Sequence, residues 1–269
     1  MNQEASTVVR RALETARRAA RAAGEIIREK TGTAFRVDRK GAADLVTEVD
    51  LAAERAVIAV ISDEFPSHRI AAEESGRGEG DSEFRWWIDP IDGTTNFVHG
   101  YPFYSVSIAL EYRGKMAAGV VYDPVRDEMF EALRSAGARL NGREIRVSPV
   151  ADLSDALLAT GFPYDRGDRG RALAVTAGLL PRIQGLRRAG SAALDLSYVA
   201  AGRLDGFWEG ALRPWDTAAG WLLVEEAGGR VSDFTGGGFD LQRGEIAATN
   251  GKIHRELIDG LNQIRPETY

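Results

Sequence analysis

Val9, Leu13, Ala16, Ala20, Ala23 and Ile27 recur at helical spacing, so the chain opens with an amphipathic helix. Arg10, Arg11, Arg17, Arg18 and Arg21 fall between them. Glu4, Glu14 and Glu25 dilute that charge, and the polar face reads as solvated. Thr47-Glu48-Val49-Asp50 has the form of a capping box and starts a second helix. That helix carries Val57, Ile58 and Ile61 toward Phe65, and Pro66 stops it. Residues 69–72 and 85–89 read as short strands, and the polar, glycine-rich 75–83 between them as a loop. Residues 104–111 and 116–122 are apolar runs separated by Arg113-Gly114-Lys115, the pattern of an antiparallel hairpin. Residues 128–132 add a strand, and Asn141-Gly142 marks a tight turn.

The second half alternates helices and strands. Residues 156–160 read as a strand. Residues 187–189 lead through Gly190-Ser191 into a helix over 192–201. A strand follows at 204–209, and a helix over 215–227 is closed by Gly228-Gly229. Residues 246–249 form a strand, and 253–264 a last helix before Pro266. No internal repeat or long linker divides the chain. The expected architecture is α/β: an α+β layered sandwich, in which helices alternate with mixed and antiparallel sheets around one continuous core. The expected organisation is a single domain over 1–269, with halves meeting near residues 147 and 148.

Composition narrows the partners. The chain is 44% hydrophobic and 28% charged, which argues against intrinsic disorder. A net charge of −6 disfavours nucleic acid as the main partner. There are no cysteines, which excludes disulfides, thiolate catalysis and Cys-ligated zinc. No apolar run approaches the ~20 residues of a membrane span. Nothing near the start reads as a signal peptide, so the expected location is the cytoplasm, away from membranes.

The chemistry concentrates in Trp86-Trp87-Ile88-Asp89-Pro90-Ile91-Asp92-Gly93-Thr94-Thr95-Asn96-Phe97. An apolar strand ends at Asp89, and Pro90 is expected to end the ladder and fix a turn. Asp92 follows, and Gly93-Thr94-Thr95 then offers backbone N–H groups at a helix start. Two hard anionic ligands beside an anion-binding backbone suit a metal-bound phosphate. Two carboxylates are too few for a multi-metal site. Asp50, Glu73, Glu74 and Asp216 stand at other element ends. Taken alone, Asp50 and Asp216 read as first-turn helix acids and Glu73 as a surface residue. Periodicity does not bring these segments together.

The chain resembles the inositol monophosphatase family, within the lithium-sensitive, Mg²⁺-dependent phosphatases. The resemblance rests on Asp44-Leu45-Val46-Thr47-Glu48-Val49-Asp50, on Ala72-Glu73-Glu74-Ser75, and on residues 87–97 continued by Val98-His99-Gly100-Tyr101-Pro102-Phe103. Thr160-Gly161-Phe162-Pro163-Tyr164, Gly190-Ser191-Ala192-Ala193, Trp208-Glu209 and Trp215-Asp216-Thr217-Ala218-Ala219-Gly220 follow in the same order. Lys40 stands where the family has a lysine near its first motif. Gly210-Ala211 departs from it, since a bulkier residue is common after the glutamate.

The resemblance implies roles. Glu73, Asp89 and the Ile91 carbonyl would hold a first Mg²⁺, and Asp89, Asp92 and Asp216 a second. A third, weaker ion would rest on Glu73 and waters. Thr94 and Asp50 would activate the attacking water. Gly93, Thr94 and Thr95 would bind phosphate oxygens. Asp92, Ala192 and Glu209 would face the inositol hydroxyls, with Gly190 and Ser191 beside them. His99 follows the signature and is read, apart from the resemblance, as a residue that orders its loop and not as a catalytic group. The implied substrate is inositol 1-phosphate and the implied assembly a homodimer. Related enzymes take fructose 1,6-bisphosphate, histidinol phosphate or 3′-phosphoadenosine phosphate, and Arg187, Arg188 and Arg213 are candidates for holding a second phosphate. Glu209 and Pro214-Trp215-Asp216 favour the inositol ester. A different class also competes: some bacterial relatives associate with RNA polymerase in ribosomal RNA synthesis.

Overall fold

The opening apolar stripe folds as α1 (Gln3–Lys30), which buries Val9, Ala16, Ala20, Ala23 and Ile27. α2 (Glu48–Glu64) starts with the expected capping box. The Thr47 hydroxyl accepts from the Val49 and Asp50 N–H groups at 3.1 and 3.2 Å, and Asp50 Oδ2 accepts from the Thr47 N–H at 2.8 Å. The computed structural model describes residues 3–39, 45–78, 80–163 and 169–263. Lys40, Asp44, Tyr164 and the end of the 253–264 helix at Ile264 lie outside the described residues.

β1 (Val37–Arg39) and β2 (Leu45–Thr47) pair as an antiparallel ribbon. β3 (Arg69–Ala72), β4 (Gly76–Arg77), β5 (Phe84–Asp92), β6 (Ser105–Tyr112), β7 (Lys115–Asp123), β8 (Glu128–Leu133), β9 (Ala138–Leu140) and β10 (Arg143–Ile145) form an eight-stranded sheet. Its order is β10-β9-β8-β7-β6-β5-β3-β4. Its β3–β5 pair is parallel. The short helix α3 (Thr94–Val98) leaves the end of β5.

The second half adds β11 (Leu157–Thr160), α4 (Arg169–Leu179), β12 (Gly185–Arg187), α5 (Ala192–Ala200), β13 (Gly206–Glu209), α6 (Pro214–Glu226), β14 (Arg230–Ser232), β15 (Ile246–Thr249) and α7 (His254–Gln263). Its five strands make a mixed sheet, β12-β11-β13-β15-β14.

Side-chain alternation stacks these pieces into layers. On β5, Trp86 and Ile88 face α1 and α2, while Trp87 faces the other way toward α5 and α6. On the second sheet, Ala159 and Phe207 join α5 and α6, whereas Leu158 and Trp208 pack under α4 and α7. The order is α1/α2, large sheet, α5/α6, small sheet, α4/α7. Among the described residues the apolar interior is three clusters partitioned by the sheets, where the sequence pattern suggests one continuous core.

Three local differences have physical reasons. The 75–83 loop contains β4, which pairs with β3 through Ala71 and Ala72. The strand at 85–89 extends to Asp92, through Pro90. Pairing with β6 shifts between Asp89 and Asp92, the mark of a bulge. Pro90 has no N–H to lose there, and the Ile91 N–H donates to Asp89 Oδ1 at 2.9 Å. Finally, α4 has no apolar stripe and buries only Val175 and Leu179, so no periodicity announced it.

Candidate active site

Register brings the acids together. β3 and β5 run parallel with Ala72 opposite Ile88, so the next residues, Glu73 and Asp89, emerge at the same level. The Glu73 N–H donates to the Ile88 carbonyl at 3.1 Å and fixes that level. On the other side of β5, Asp89 pairs with Ser107 of β6. The Ser107 hydroxyl donates to the Trp215 carbonyl at 3.0 Å, which anchors the start of α6 beside Asp89. Asp216 sits in that first turn, and its Oδ2 accepts from the Arg213 N–H at 2.7 Å. It therefore caps its helix and faces the site at once.

Gly93 joins β5 to α3 with φ of 103°, a conformation that favours glycine. A Cβ there would press within 3.1–3.2 Å of the Phe103 and Gly190 carbonyls. Asn96 ties the same loops, donating to the Phe103 and Ala189 carbonyls at 2.7 and 2.8 Å. At the start of α5, the Ser191 hydroxyl and the Ala193 N–H donate to Asp92 Oδ2 at 2.6 and 2.7 Å. Thr94 Oγ1 lies 3.0 Å from both Asp50 Oδ1 and the Ile91 carbonyl. Its single proton serves one acceptor at a time.

Glu73, Asp89, Ile91, Asp92, Gly93, Thr94, Thr95, Gly190, Ala192, Glu209 and Asp216 line one cavity of about 480 Å³. Asp50 and Ser191 stand behind that lining, reaching it through Thr94 and Asp92. Arg188 and Arg213 line it too, joined by Arg169, Phe162 and Pro163, while Arg187 is not among the lining residues. Gly161, named in the sequence only as part of a family motif and given no role there, lies against the Glu209 carboxylate. The sequence pattern does not single out Asp195, buried on α5 near Glu209 and Asp92, or Glu54, buried one turn along α2 from Asp50. Acids on helices carry no local signal of facing inward.

The cavity holds its carboxyls far from ordinary acidity. Asp89 is only 2% exposed. Burial raises its pKa, and the charges of Glu73, Asp92 and Asp216 raise it further. Burial raises Asp216 as well, with Asp92, Glu73 and Glu209 adding to it and the Arg213 N–H opposing. Asp92 is pushed up to about 6 by burial, against the pull of its Ser191 and Ala193 donors. Asp50 is raised by burial, with the Thr47 and Thr94 hydrogen bonds opposing. Glu209 rises to about 8, again by burial, although Arg188 pulls it down.

Among the described residues, no three acidic or histidine side chains are drawn up into a ready-made metal cage. The donor set nonetheless fits a hard divalent cation. It consists of carboxylate and carbonyl oxygens, no histidine lines the cavity, and the acids repel one another across it. A cation of charge two offsets that repulsion as protons otherwise must.

Residues 9–267 match the sequence profile of the inositol monophosphatase family. The chain belongs to this family. It is 50% identical to the Nus factor SuhB of Pseudomonas aeruginosa, covering 91% of this chain and 94% of that one. It is 49% identical to the inositol-1-monophosphatase of Synechocystis sp., covering 93% and 88%. Among solved structures, the inositol monophosphatase of Anabaena superposes with a TM-score of 0.88 at 44% identity, over 96% of this chain and 97% of that one. SuhB of Bartonella henselae gives 0.91 at 44% identity, over 94% and 98%. These are inositol monophosphatase folds, as the layered architecture requires.

Proposed function

We propose that the chain is a Mg²⁺-dependent phosphatase of small polyol monophosphates, with inositol 1-phosphate as its substrate. The observation that carries this is the convergence of Glu73, Asp89, Asp92 and Asp216 on one cavity beside the first turn of α3. Glu73, Asp89 and the Ile91 carbonyl would hold one Mg²⁺, and Asp89, Asp92 and Asp216 another, with a third, weaker ion on Glu73. When bound, Mg²⁺ acidifies water and neutralises charge on the phosphoryl and leaving oxygens.

The chain's own groups do the rest. Thr94 orients the attacking water through its hydroxyl, and Asp50, 3.0 Å behind it, takes up the proton that the hydroxyl passes on. The first-turn N–H groups of Gly93, Thr94 and Thr95 have no helical acceptor and are available to phosphate oxygens. Asp92 and Glu209 bond the hydroxyls of the alcohol, while Ala192, beside Ser191 and Gly190, leaves room for its ring. Arg188 and Arg213 also line the cavity, where a second phosphate would need them, so a bisphosphate is the alternative substrate of the same chemistry.

The Synechocystis relative's name supports the inositol ester. The relatives named Nus factor support a second reading, association with RNA polymerase, which intact catalytic acids do not oppose. Co-purification with polymerase that survives Asp89→Asn tests it. Homodimerisation in the cytoplasm belongs to the same proposal and is read by light scattering and fractionation. The enzymatic reading is tested by phosphate release with Mg²⁺ across a panel of phosphomonoesters. Preference for inositol 1-phosphate supports it, and no turnover of any ester contradicts it.

A further inference from the structure

Glu54 is a carboxylate with 3% of its surface exposed, on the inner side of α2 one turn beyond Asp50. Its partners are backbone. Oε2 accepts the Glu74 N–H at 2.7 Å, and Oε1 accepts the Ser75 N–H at 2.9 Å. These are short, charge-assisted bonds. The preceding N–H, that of Glu73, is held by the Ile88 carbonyl at 3.1 Å. All three N–H groups of the turn between β3 and β4 are therefore committed. The turn cannot rotate without stranding a buried carboxylate, which is costly. Asp50, on the same helix, meets Thr94. One rigid element thus spaces Glu73 from Thr94.

We propose that Glu54 is a positioning residue for Glu73, and that it sets how tightly the site takes its divalent cation. The inference rests on the reading of Glu73 as a Mg²⁺ ligand. Glu54 does not reach the cavity, so it acts through the turn alone. Residues that orient a metal ligand typically cost about 10–100-fold in affinity when changed. Glu54→Gln is the informative change, because an amide oxygen accepts one of the two N–H groups and its NH₂ opposes the other. Glu54→Asp keeps the charge and shortens the reach.

The test is titration of the full-length protein with Mg²⁺ alone, by calorimetry, beside the Mg²⁺ dependence of phosphate release. Glu54→Gln should weaken the tightest Mg²⁺ site by about 10–100-fold. It should raise the Mg²⁺ needed for half-maximal rate equally, and leave kcat at saturating Mg²⁺ within about threefold. Glu54→Asp should shift both in the same direction by less. A folded Glu54→Gln protein that binds Mg²⁺ like the unsubstituted one overturns the inference and leaves the metal reading intact. If the unsubstituted protein binds no Mg²⁺, the metal reading falls and takes the inference with it. Hydrogen exchange on the unsubstituted protein needs no variant to fold. Mg²⁺ should slow exchange at amides 74 and 75, and no change there overturns the proposal.

Discussion

Asp50 Oδ1 and Thr94 Oγ1 stand 3.0 Å apart where α2 meets α3. Asp50 reaches that position because its other oxygen closes the capping box on Thr47, which fixes its rotamer. A local helix-start device and a tertiary contact therefore share one side chain. Burial raises the pKa of Asp50, which makes it a stronger base than an exposed carboxylate.

Thr94→Ala should lower kcat by about 10²–10⁴-fold, the usual worth of positioned proton transfer. Mg²⁺ affinity should change little. Thr94→Ser should recover most of the rate, since the hydroxyl is what Asp50 meets. Steady-state kinetics with a parallel Mg²⁺ titration checks this. Equal losses in kcat and metal affinity would make Thr94 a support for the metal site.

Asp89→Asn separates function from folding. Turnover should fall by at least about 10²–10³-fold, as when an oriented electrostatic group is lost. The metal-free variant should melt no lower than the unsubstituted protein at pH 8. The change removes a buried charge that burial, Glu73, Asp92 and Asp216 all disfavour. A thermal melt that collapses would show Asp89 to be structural.

Glu209 predicts a pH slope in stability. Its ordinary pKa of 4.5 is held up to about 8 in the fold, first by burial. The folded chain binds this proton more tightly than the unfolded one. Its stabilising effect is complete below about 4.5, declines as pH rises, and is gone above about 8. The metal-free protein should lose stability from pH 5 to pH 8, and Glu209→Gln should reduce that loss. Asp89 and Asp216 contribute with the same sign and keep part of the slope. Parallel Tm curves for the two proteins would contradict the assignment.

Gly161 should control substrate choice. A methyl there would run into both Glu209 carboxylate oxygens. Gly161→Ala should displace the Glu209 carboxyl, change the relative rates on different alcohols, and raise KM about tenfold, the worth of one hydrogen bond. Unchanged relative rates would remove Glu209 from the specificity wall.

Legibility followed the range of the interactions. The capping box at Thr47, the Asn141-Gly142 turn and the β6–β7 hairpin are local, and short sequence windows carried them. The acids of β5 were legible because a strand, a proline and a glycine frame them. Their meeting with Glu73 and Asp216 was not, since it depends on the parallel β3–β5 register and on the Ser107–Trp215 bond. Only the family resemblance supplied that. Pro90 misled because a bulge accommodates what a regular ladder refuses. Glu54 stayed hidden because an acid within a helix ordinarily faces water, and its partners lie twenty residues away on a turn. β12 and β14 have three residues each, too few for a periodic signal.

The most direct measurement is phosphate release by the purified protein with and without Mg²⁺. The panel is inositol 1-phosphate, fructose 1,6-bisphosphate, 3′-phosphoadenosine 5′-phosphate and histidinol phosphate. The account predicts turnover that requires Mg²⁺ and favours inositol 1-phosphate, and that Asp89→Asn abolishes. Turnover that persists without any divalent cation, or none on any ester from a protein that binds Mg²⁺, would contradict it.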